Sequence, residues 1–511
     1  MVALPTRKAR DMTSTVRSVL ALLPLLILLS GGGPRAQSPL PTLSDPNLTV
    51  RTVISGLDQP TSMAFIGANE FLVLEKASGR VKHVINGALA QIVLDLSVNN
   101  ASERGLLGIA LHPQFTANRF VYLYWTCTAV HGPTTFQISA TTCPTAPATG
   151  ADVTEIVDVP LLGNRIDRFV WDGTSLRFDR NIINLRSFQH DVSNNVPRGN
   201  HNGGVIRFAG DGKLYVIFGD NGRRGQMQNI FDDRGQAFAV PDDQFGGPGP
   251  DNAHFTGVIL RLNDDGSAPS DNPFFSTGAG IQGEVGANLQ KIFAYGVRNS
   301  FGLAVDPVSG DLWDEQNGDD SFDELNRVTA GSNLGWIQAM GPMSRVAEFK
   351  AIERTFAPGD LQQQRWPPSL LADTPEQARL RLFMLPGAHY DDPEFSWKWA
   401  IAPAAIGFLR GNALGAEYAN DLFVGASRTT LLDGYLLRLD LSANRQSIAS
   451  TDARLSDLVA DNTAKFDIGE SESLRFGAGF GVGTDIQTGP NGNLFVVSLS
   501  NGAVYEISRR Q

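Results

Sequence analysis

The amino-acid sequence predicts an all-β protein, a six-bladed β-propeller of four-stranded antiparallel sheets. Three observations lead to this prediction. A strand–turn–strand unit recurs six times, apolar residues alternate along the strands, and 53 glycines and 28 prolines among 511 residues supply many turns. A pair of β-sandwiches is the alternative architecture, and it predicts evenly spaced strands without such a repeated unit.

Each unit joins a short apolar strand to a second β-branched or aromatic strand. Asp211-Gly212 and Asn491-Gly492 are the strongest turn signals, because glycine adopts positive φ without steric cost. The units cover residues 62–75, 108–125, 204–220, 302–316, 405–426 and 485–499. No low-complexity linker divides residues 45–511, which predicts one domain. The uneven spacing of the units predicts insertions near 127–165 and 338–390, the second containing the possible helix EQARLRLF.

Residues 1–36 are typical of a secretory signal peptide. Arg7, Lys8 and Arg10 form a basic region, and an apolar run extends from Val19 to Leu29. A membrane anchor is the alternative, but the run is too short and Pro24 interrupts it. We therefore expect an exported, periplasmic or secreted protein with no stable membrane anchor.

Export changes what the two cysteines predict. Cys127 and Cys143 lie in a Thr-, Ala- and Pro-rich stretch, where an oxidising compartment favours a local disulfide. The alternative is a pair of unpaired core thiols.

Composition and motifs exclude several classes of protein. The net charge is −11 and no long Lys/Arg run occurs, which argues against a nucleic-acid partner. Two cysteines are too few for a cysteine-based zinc cluster. The sequence also contains no Walker loop, dinucleotide-binding fingerprint, His-Glu-x-x-His or Gly-x-Ser-x-Gly motif.

Polar clusters near predicted strand ends are the candidate functional groups. His201 precedes the third unit and suits a general base, and Asp220 ends the same unit, where it can orient the imidazole. The alternative is a histidine that only satisfies loop carbonyls. Arg298 offers a planar cation for a carboxylate or quinone oxygen, with a structural salt bridge as the alternative.

Two further clusters are acidic. Residues 314–324 place carboxylates and carbonyls at short spacing, which suits Ca²⁺, although a solvated acidic turn is the alternative. Glu103 lies in the segment 102–108 that enters the second unit, and a strand-entry turn with surface charges is the alternative there.

Together these clusters resemble a known family. The segments ERGLLGIALHPQF, HNGGVIRFAGDGKLYVIFGDNG, IFAYGVRNSFGLAVDP and GSNLGW are similar to those of the soluble quinoprotein glucose/sorbosone dehydrogenases, in order from about residue 54 to 508. The resemblance implies a six-bladed propeller that binds pyrroloquinoline quinone (PQQ) with Ca²⁺. It also implies oxidation of an aldose sugar or related alcohol, with electrons passed to an external acceptor.

The resemblance assigns roles to matching positions. His201 falls on the histidine that takes the proton from the sugar's anomeric hydroxyl while hydride passes to the quinone, and Asp220 falls beside it. The implied cofactor contacts are Glu103, Arg298, Asn299 and Arg428. The expected metal-binding positions are Gly318, Asp319, Asp323 and Glu324.

Several positions depart from the family pattern. Glu103 replaces glutamine, Arg428 replaces lysine, and Ile401 replaces threonine. The calcium-loop Gly-Pro becomes Asn-Gly-Asp at 317–319, with one extra residue. Near the C-terminus, Val-Gly-Thr-Asp at 482–485 replaces an Arg-x-Arg-Asp stretch that anchors cofactor carboxylates, and Arg475 is the nearby candidate substitute.

These departures leave two other functions open. A propeller without cofactor, acting as a carbohydrate- or protein-binding module, is favoured if no cation other than Arg298 lines the mouth that holds His201. A calcium-dependent lactonase-type hydrolase is the weaker alternative, with Glu103, Asn202 and Asp220 as its metal-binding candidates.

Overall fold

The computed structural model describes residues 39–128, 159, 162–188, 199–222, 255–356, 371–428 and 433–510. All of them belong to one compact unit, Ala36–Gln511. Within these ranges, no helix has the length and apolarity needed to cross a membrane. The predicted signal peptide lies outside the described residues and stays a prediction.

The described strands form six sheets, numbered I to VI. Two N-terminal strands, β1 (Thr42–Leu43) and β2 (Leu48–Ser55), precede sheet I and join sheets V and VI. Sheet I contains β3 (Pro60–Gly67), β4 (Glu70–Glu75), β5 (Arg80–Ile85) and β6 (Ala88–Asp95). Sheet II contains β7 (Leu106–Leu111), β8 (Phe120–Thr126), β9 (Asn164–Trp171) and β10 (Leu176–Leu185).

Sheets III and IV follow in the middle of the chain. Sheet III contains β11 (Ile206–Phe208), β12 (Leu214–Phe218), β13 (Val258–Leu262) and β14 (Ile292–Tyr295). Sheet IV contains β15 (Gly302–Val305), β16 (Leu312–Gln316) and β17 (Ser321–Val328), with β20 (Phe395–Trp399) as its fourth strand. Between β17 and β20, the short strands β18 (Ser332–Asn333) and β19 (His389–Tyr390) extend sheet III.

Sheets V and VI complete the chain. Sheet V contains β21 (Pro403–Phe408), β22 (Leu422–Ala426), β23 (Tyr435–Leu441) and β26 (Arg475–Ala478), with β24 (Ile448–Ala449) beside β23. The short β25 (Val459–Ala460) pairs with β20 of sheet IV. Sheet VI contains β27 (Gly483–Thr488), β28 (Leu494–Ser498) and β29 (Ala503–Arg509) together with β2.

Helices are short and lie in the connections. Among the described residues, the α-helices are α1 (Phe115–Asn118), α2 (Phe275–Ala279), α3 (Glu284–Leu289), α4 (Val346–Phe356) and α5 (Pro375–Arg381). Four single 3₁₀ turns in the same ranges cover Met343–Arg345, Ala416–Tyr418, Ala453–Leu455 and Glu472–Leu474. The possible helix in EQARLRLF corresponds to α5, which Thr374 caps by accepting a hydrogen bond from the Gln377 backbone N–H.

The sheets are arranged radially. Their innermost strands contact one another in a closed cycle, β3, β7, β11, β15, β21, β27 and back to β3. A separate cluster of buried apolar side chains fills the space between each pair of neighbouring sheets. The predicted all-β propeller is therefore confirmed, because burial of both faces of every sheet requires a neighbour on each side.

All six predicted strand–turn–strand units coincide with the two innermost strands of a sheet. The expectation of four-stranded, purely antiparallel sheets is too simple. Four antiparallel strands form the base of each sheet, but sheets III, IV and V carry further strands, and β14–β18, β18–β19 and β20–β25 are parallel pairs. The long connections around β18, β19 and β25 supply these additions.

Strand β2, near the N-terminus, closes the ring. β2 pairs antiparallel with β29, so sheet VI combines one strand from the start of the propeller with three from its end. Leu48 and Ile54 of β2 are buried, and both ends of the chain are thereby fixed in the same sheet.

A central channel runs between the innermost strands. A cavity of about 330 Å³ in this channel is lined by Phe65, Ala110, Arg207, Ala304, Gly407 and Gln487. Asp485 is fully buried in sheet VI, and its Oδ1 lies 2.7 Å from Nη2 of Arg207 in sheet III. Its Oδ2 accepts hydrogen bonds from the Ser62 hydroxyl (2.7 Å) and the Met63 N–H (3.1 Å) of sheet I. One carboxylate thus connects three sheets across the channel.

Cys127 is buried and disulfide-bonded. It follows β8, and Cys143 lies outside the described residues.

Candidate active site

The candidate active site lies at the mouth of the channel where the innermost strands begin, here called the His201 mouth. His201 precedes β11, and its backbone is in the left-handed region with φ 56°. Such a conformation is uncommon outside glycine and marks a constrained residue. Gly219 allows the loops to approach, since a Cβ there would lie 2.5 Å from the His201 carbonyl oxygen and 2.7 Å from that of Arg298.

His201 and Asp220 form a buried pair. Nδ1 of His201 lies 2.7 Å from Oδ1 of Asp220, and both residues are at most 3% exposed. Asp220 also accepts hydrogen bonds from the Gly222 N–H (2.7 Å) and the Trp336 indole N–H (2.8 Å). A carboxylate that accepts these hydrogen bonds favours the tautomer in which Nδ1–H donates to it, and this tautomer leaves the lone pair on Nε2 of His201.

The loop that carries Glu103 holds the His201 loop from the neighbouring sheet. Oε2 of Glu103 accepts the His201 backbone N–H at 2.6 Å. Arg104, fully buried, donates from Nη1 to the Gly199 carbonyl and from Nε to Asn99 at 2.9 Å. Together they hold the backbone on the N-terminal side of the imidazole.

Lys76 supports this arrangement from sheet I. Its ammonium donates to the carbonyls of Asn100 (3.0 Å) and Ser102 (2.9 Å), and the residue is 4% exposed. Burial, followed by the nearby Arg104 charge, lowers the pKa of Lys76 to about 8. Arg104 and Lys76 are therefore cations close to the His201 loop in addition to Arg298.

Arg298 links the His201 mouth to the acidic loop after β16. Its Nη1 donates to the carbonyls of Asn317 (2.6 Å) and Gly318 (2.9 Å), and Nη2 lies 3.4 Å from Oδ1 of Asp319. The guanidinium carbon lies 5.3 Å from the centre of the Trp336 ring. Because Trp336 also donates to Asp220, the arginine and the His–Asp pair share one aromatic support.

Two asparagines present unsatisfied polar atoms near this mouth. Within the described ranges, Oδ1 of Asn299 and both side-chain polar atoms of Asn221 are buried without a hydrogen-bond partner. Asn299 follows Arg298, and Asn221 follows Asp220. Buried polar atoms without partners are uncommon in proteins, and at a concave site they favour a polar ligand.

The acidic segment does not act as one cluster. Asp323 accepts backbone N–H groups from Gly318 (2.8 Å), Ile401 (2.6 Å) and Ala402 (2.7 Å). Glu324 accepts the Gly341 N–H and, at 3.3 Å, the Asn326 amide. Burial raises the pKa of Asp323 to about 6 and that of Glu324 to about 8. Both carboxyls organise backbone, and neither joins Asp319.

Asp319 instead meets two residues absent from the predicted metal site. Among the described residues, Asp319, Asp320 and Glu353 form a group whose potential ligand atoms lie within 4.8 Å of one another. Glu353 comes from α4, in the insertion between β17 and β20. Burial, and then the charges of Asp319 and Asp320, raises the pKa of Glu353 to about 8.

The remaining predicted cations have other partners. Arg428 follows β22, lies 3.9 Å from Asp433, and stacks 4.9 Å from the Tyr435 ring centre. Arg475 begins β26, which lies between β23 and the short β1 at the outer side of sheet V, and pairs with Glu472 at 3.2 Å. It therefore does not replace the missing arginines of segment 482–485, where Asp485 binds Arg207.

The metal-binding set suggested for a lactonase is not assembled. The Asn202 amide donates to the Gly199 carbonyl at 2.7 Å, and its Oδ1 accepts from Asn164 at 2.7 Å. Glu103 and Asp220 instead bind the backbone and the imidazole of His201.

Sequence reasoning missed Trp336, Lys76 and Glu353 as parts of this region. Trp336 is 116 positions from Asp220 in sequence, and its motif GSNLGW carried no chemical signal of its own. The segment that contains Glu103 also contains Arg104, but spacing alone does not show which loop carbonyl the arginine binds.

The fold and this site define a β-propeller with a buried His–Asp pair and an arginine at one mouth. Residues 57–346 match the family described as glucose / sorbosone dehydrogenase. This match covers more than half of the 511 residues, and the chain belongs to the glucose/sorbosone dehydrogenase family. The resemblance predicted from the motifs is confirmed.

Individual relatives agree with this membership. The chain is 23% identical to aldose sugar dehydrogenase YliI of Escherichia coli over 91% of its own length and 93% of that protein. It is 27% identical to quinoprotein glucose dehydrogenase B of Acinetobacter calcoaceticus over 58% of this chain and 53% of that one. The PQQ-bound aldose sugar dehydrogenase of Streptomyces coelicolor shares the fold, with TM-score 0.53, 20% identity, and coverage of 91% and 98%.

Proposed function

We propose that this protein is an exported, PQQ- and Ca²⁺-dependent dehydrogenase that oxidises an aldose sugar or a related alcohol and passes electrons to an external acceptor. The observation that carries the proposal is the buried His201–Asp220 pair at one mouth of a propeller of this family. Relatives named quinoprotein glucose dehydrogenase and aldose sugar dehydrogenase support the reaction class.

We also infer that each of the six described sheets is one blade. The cyclic contacts of the innermost strands and the apolar cluster in each gap support this count.

The residues at the His201 mouth fit a polar, anionic cofactor. Asn299 and Asn221 offer buried polar atoms that lack partners among the residues the structure describes, and Arg298, next to Asn299 in sequence, binds the acidic loop. Arg104 and Lys76 add positive charge from the adjoining sheets. When bound, the quinone supplies a two-electron hydride acceptor, and its Ca²⁺ polarises the accepting carbonyl.

The protein's own contribution is to hold a proton acceptor. Asp220 fixes the imidazole so that Nδ1 bears the hydrogen and Nε2 receives the proton of the sugar hydroxyl. Trp336 and Gly222 keep Asp220 in place, while Glu103 fixes the backbone of His201. After the transfer, the imidazolium lies next to a carboxylate that stabilises its charge.

The test is dye-linked sugar oxidation by His201→Ala after loading with PQQ and Ca²⁺. Loss of a general base typically reduces turnover about 10²- to 10⁴-fold, and we expect a decrease in kcat of that size with PQQ binding retained. His389→Ala is the matched control, because that histidine lies on the added strand β19. Undiminished kcat in the His201 variant rules out the assigned base.

One observation favours a cofactor-free binding module. The segment 482–485 lacks the expected arginines, and Arg298 already donates to two carbonyls. Calorimetric titration of the apo-protein with PQQ and Ca²⁺ separates the two functions. Tight Ca²⁺-dependent binding supports the dehydrogenase, and absence of heat with intact folding supports the binding module.

A further inference from the structure

We propose that the side chains of Asp319, Asp320 and Glu353 bind a Ca²⁺ ion that fixes helix α4 to the loop between β16 and β17. The metal-binding positions implied by the family resemblance include Asp319 but neither Asp320 nor Glu353, which comes from the insertion. This site goes beyond the proposed function because its occupancy requires neither quinone nor sugar.

The geometry suits one ion. Ligand oxygens bind Ca²⁺ at about 2.3–2.6 Å, so ligands on opposite sides of the ion are about 5 Å apart. The three side chains bring ligand atoms within 4.8 Å of one another. All are oxygen donors, which favours Ca²⁺ over metals that prefer nitrogen or sulfur.

Unpartnered oxygen atoms provide the second observation. Asp320 is 3% exposed, and its Oδ2 is buried without a hydrogen-bond partner among the described residues. Oδ2 of Asp319 is likewise buried and has no partner in the described part of the chain. Since a buried carboxylate oxygen without a donor is costly, these two atoms indicate a missing cationic ligand.

Charge leads to the same conclusion. Three carboxylates face two cations: Lys465, which contacts Asp320 and donates to the Asp319 carbonyl at 3.0 Å, and Arg298, 3.4 Å from Asp319. With all three carboxylates ionised, a negative charge remains in a largely buried region, which a divalent ion compensates. The Asp319 side chain retains 11% exposure and provides access from solvent.

The site joins two separate elements. Oε1 of Glu353 accepts the backbone N–H groups of Asp320 (3.1 Å) and Ser321 (3.2 Å) and the Ser321 hydroxyl (2.8 Å). The loop and helix α4 are therefore already joined by hydrogen bonds. The ion adds metal–oxygen bonds between the three carboxylates, which would otherwise repel one another. We expect Ca²⁺ to stabilise the folded protein by linkage.

The experiment is calorimetric titration of EDTA-treated, desalted full-length protein with CaCl₂, without quinone or sugar. Glu353→Gln removes a charge, while its amide oxygen still accepts the three hydrogen bonds from Asp320 and Ser321. We expect this variant to lose one Ca²⁺ site or bind it at least tenfold more weakly. Glu348→Gln is the matched control on the same helix, since Glu348 is 41% exposed and pairs with Arg345 and Lys398.

A second variant and a second readout make the result decisive. Asp320→Asn is expected to weaken the same site, and Ca²⁺ should raise the melting temperature of wild type and Glu348→Gln more than that of either site variant. Equal Ca²⁺ binding in wild type and Glu353→Gln, or no binding to wild type, overturns the proposal. Either failure leaves the dehydrogenase proposal to its own tests, which are Ca²⁺-dependent binding of PQQ and the activity of the His201 variant.

Discussion

Glu103 stands where the family pattern has glutamine, and its contact explains how both residues are compatible with this position. The Oε2 atom accepts the His201 backbone N–H, which requires a side-chain oxygen of this length but not a charge. The substitution therefore preserves the hydrogen bond that holds a residue with φ 56°.

We predict that Glu103→Gln retains kcat within about threefold, whereas Glu103→Ala lowers it about tenfold. A hydrogen bond to a charged group contributes about 1.5–3 kcal/mol, and about 1.4 kcal/mol corresponds to a factor of ten. The pH profile of kcat/KM checks that the effect passes through the imidazole. Equal activity of the alanine variant and wild type contradicts a positioning role.

At the residue scale, the sequence alone predicted that His201 and Asp220 form a pair, but not which side chains support them. His201, Asp220 and Arg298 occupy strand ends, where alternating apolar patterns stop, so their convergence at one mouth follows from the repeat. Trp336 holds two of them at once from a loop without periodicity. Contacts of this kind depend on loop conformation, which spacing does not encode.

At the scale of elements, strand β16 contains two consecutive buried acidic residues. Asp314 and Glu315 are fully buried, and neither Oδ atom of Asp314 has a hydrogen-bond partner among the described residues. Burial raises the pKa of Asp314 to about 7. The folded protein therefore binds this proton more tightly than the unfolded chain, where the usual value is near 3.9.

The sign of the pH effect follows from this difference. The contribution of Asp314 to stability is fully present below pH of about 4 and is lost as pH rises toward 7 and above. We predict that Asp314→Asn gains about 2 kcal/mol in unfolding free energy relative to wild type between pH 5 and pH 7. Urea unfolding at pH 5 and pH 7 measures the unfolding free energy of both proteins, and Asp391→Asn, an exposed position, is the control. An equal change in unfolding free energy between the two pH values for Asp314→Asn and wild type refutes the prediction.

Elements within the repeat could be located from sequence, whereas those in the insertion could be located only in part. The short helix α5 was visible as EQARLRLF, but α4 was not identified, although it contributes Glu353. A helix in an insertion packs against whichever surface its connections reach, and its residues therefore take positions that no periodic pattern predicts.

At the scale of the whole molecule, the ring depends on β2. Removing residues 45–55 exposes the edge of β29 and deletes the buried Leu48 and Ile54. Burial of two such side chains contributes about 3–6 kcal/mol. We predict a lower melting temperature or insolubility for this deletion. Deletion of residues 1–39 is the control and should leave the melting temperature at the wild-type value. Addition of a synthetic peptide spanning residues 46–56 should restore the melting temperature; unchanged melting of the deletion contradicts the role of β2.

The contacts of one carboxylate, that of Asp485, depend on closure of the ring. Asp485 forms an ion pair with Arg207 of sheet III and accepts hydrogen bonds from Ser62 and Met63 of sheet I. These three partners come together only when the sheets form a closed circle. The carbon-13 resonance or infrared band of this group is thus a built-in reporter of ring closure. During refolding, its shift would separate the formation of individual sheets from the moment at which the first and last of them meet.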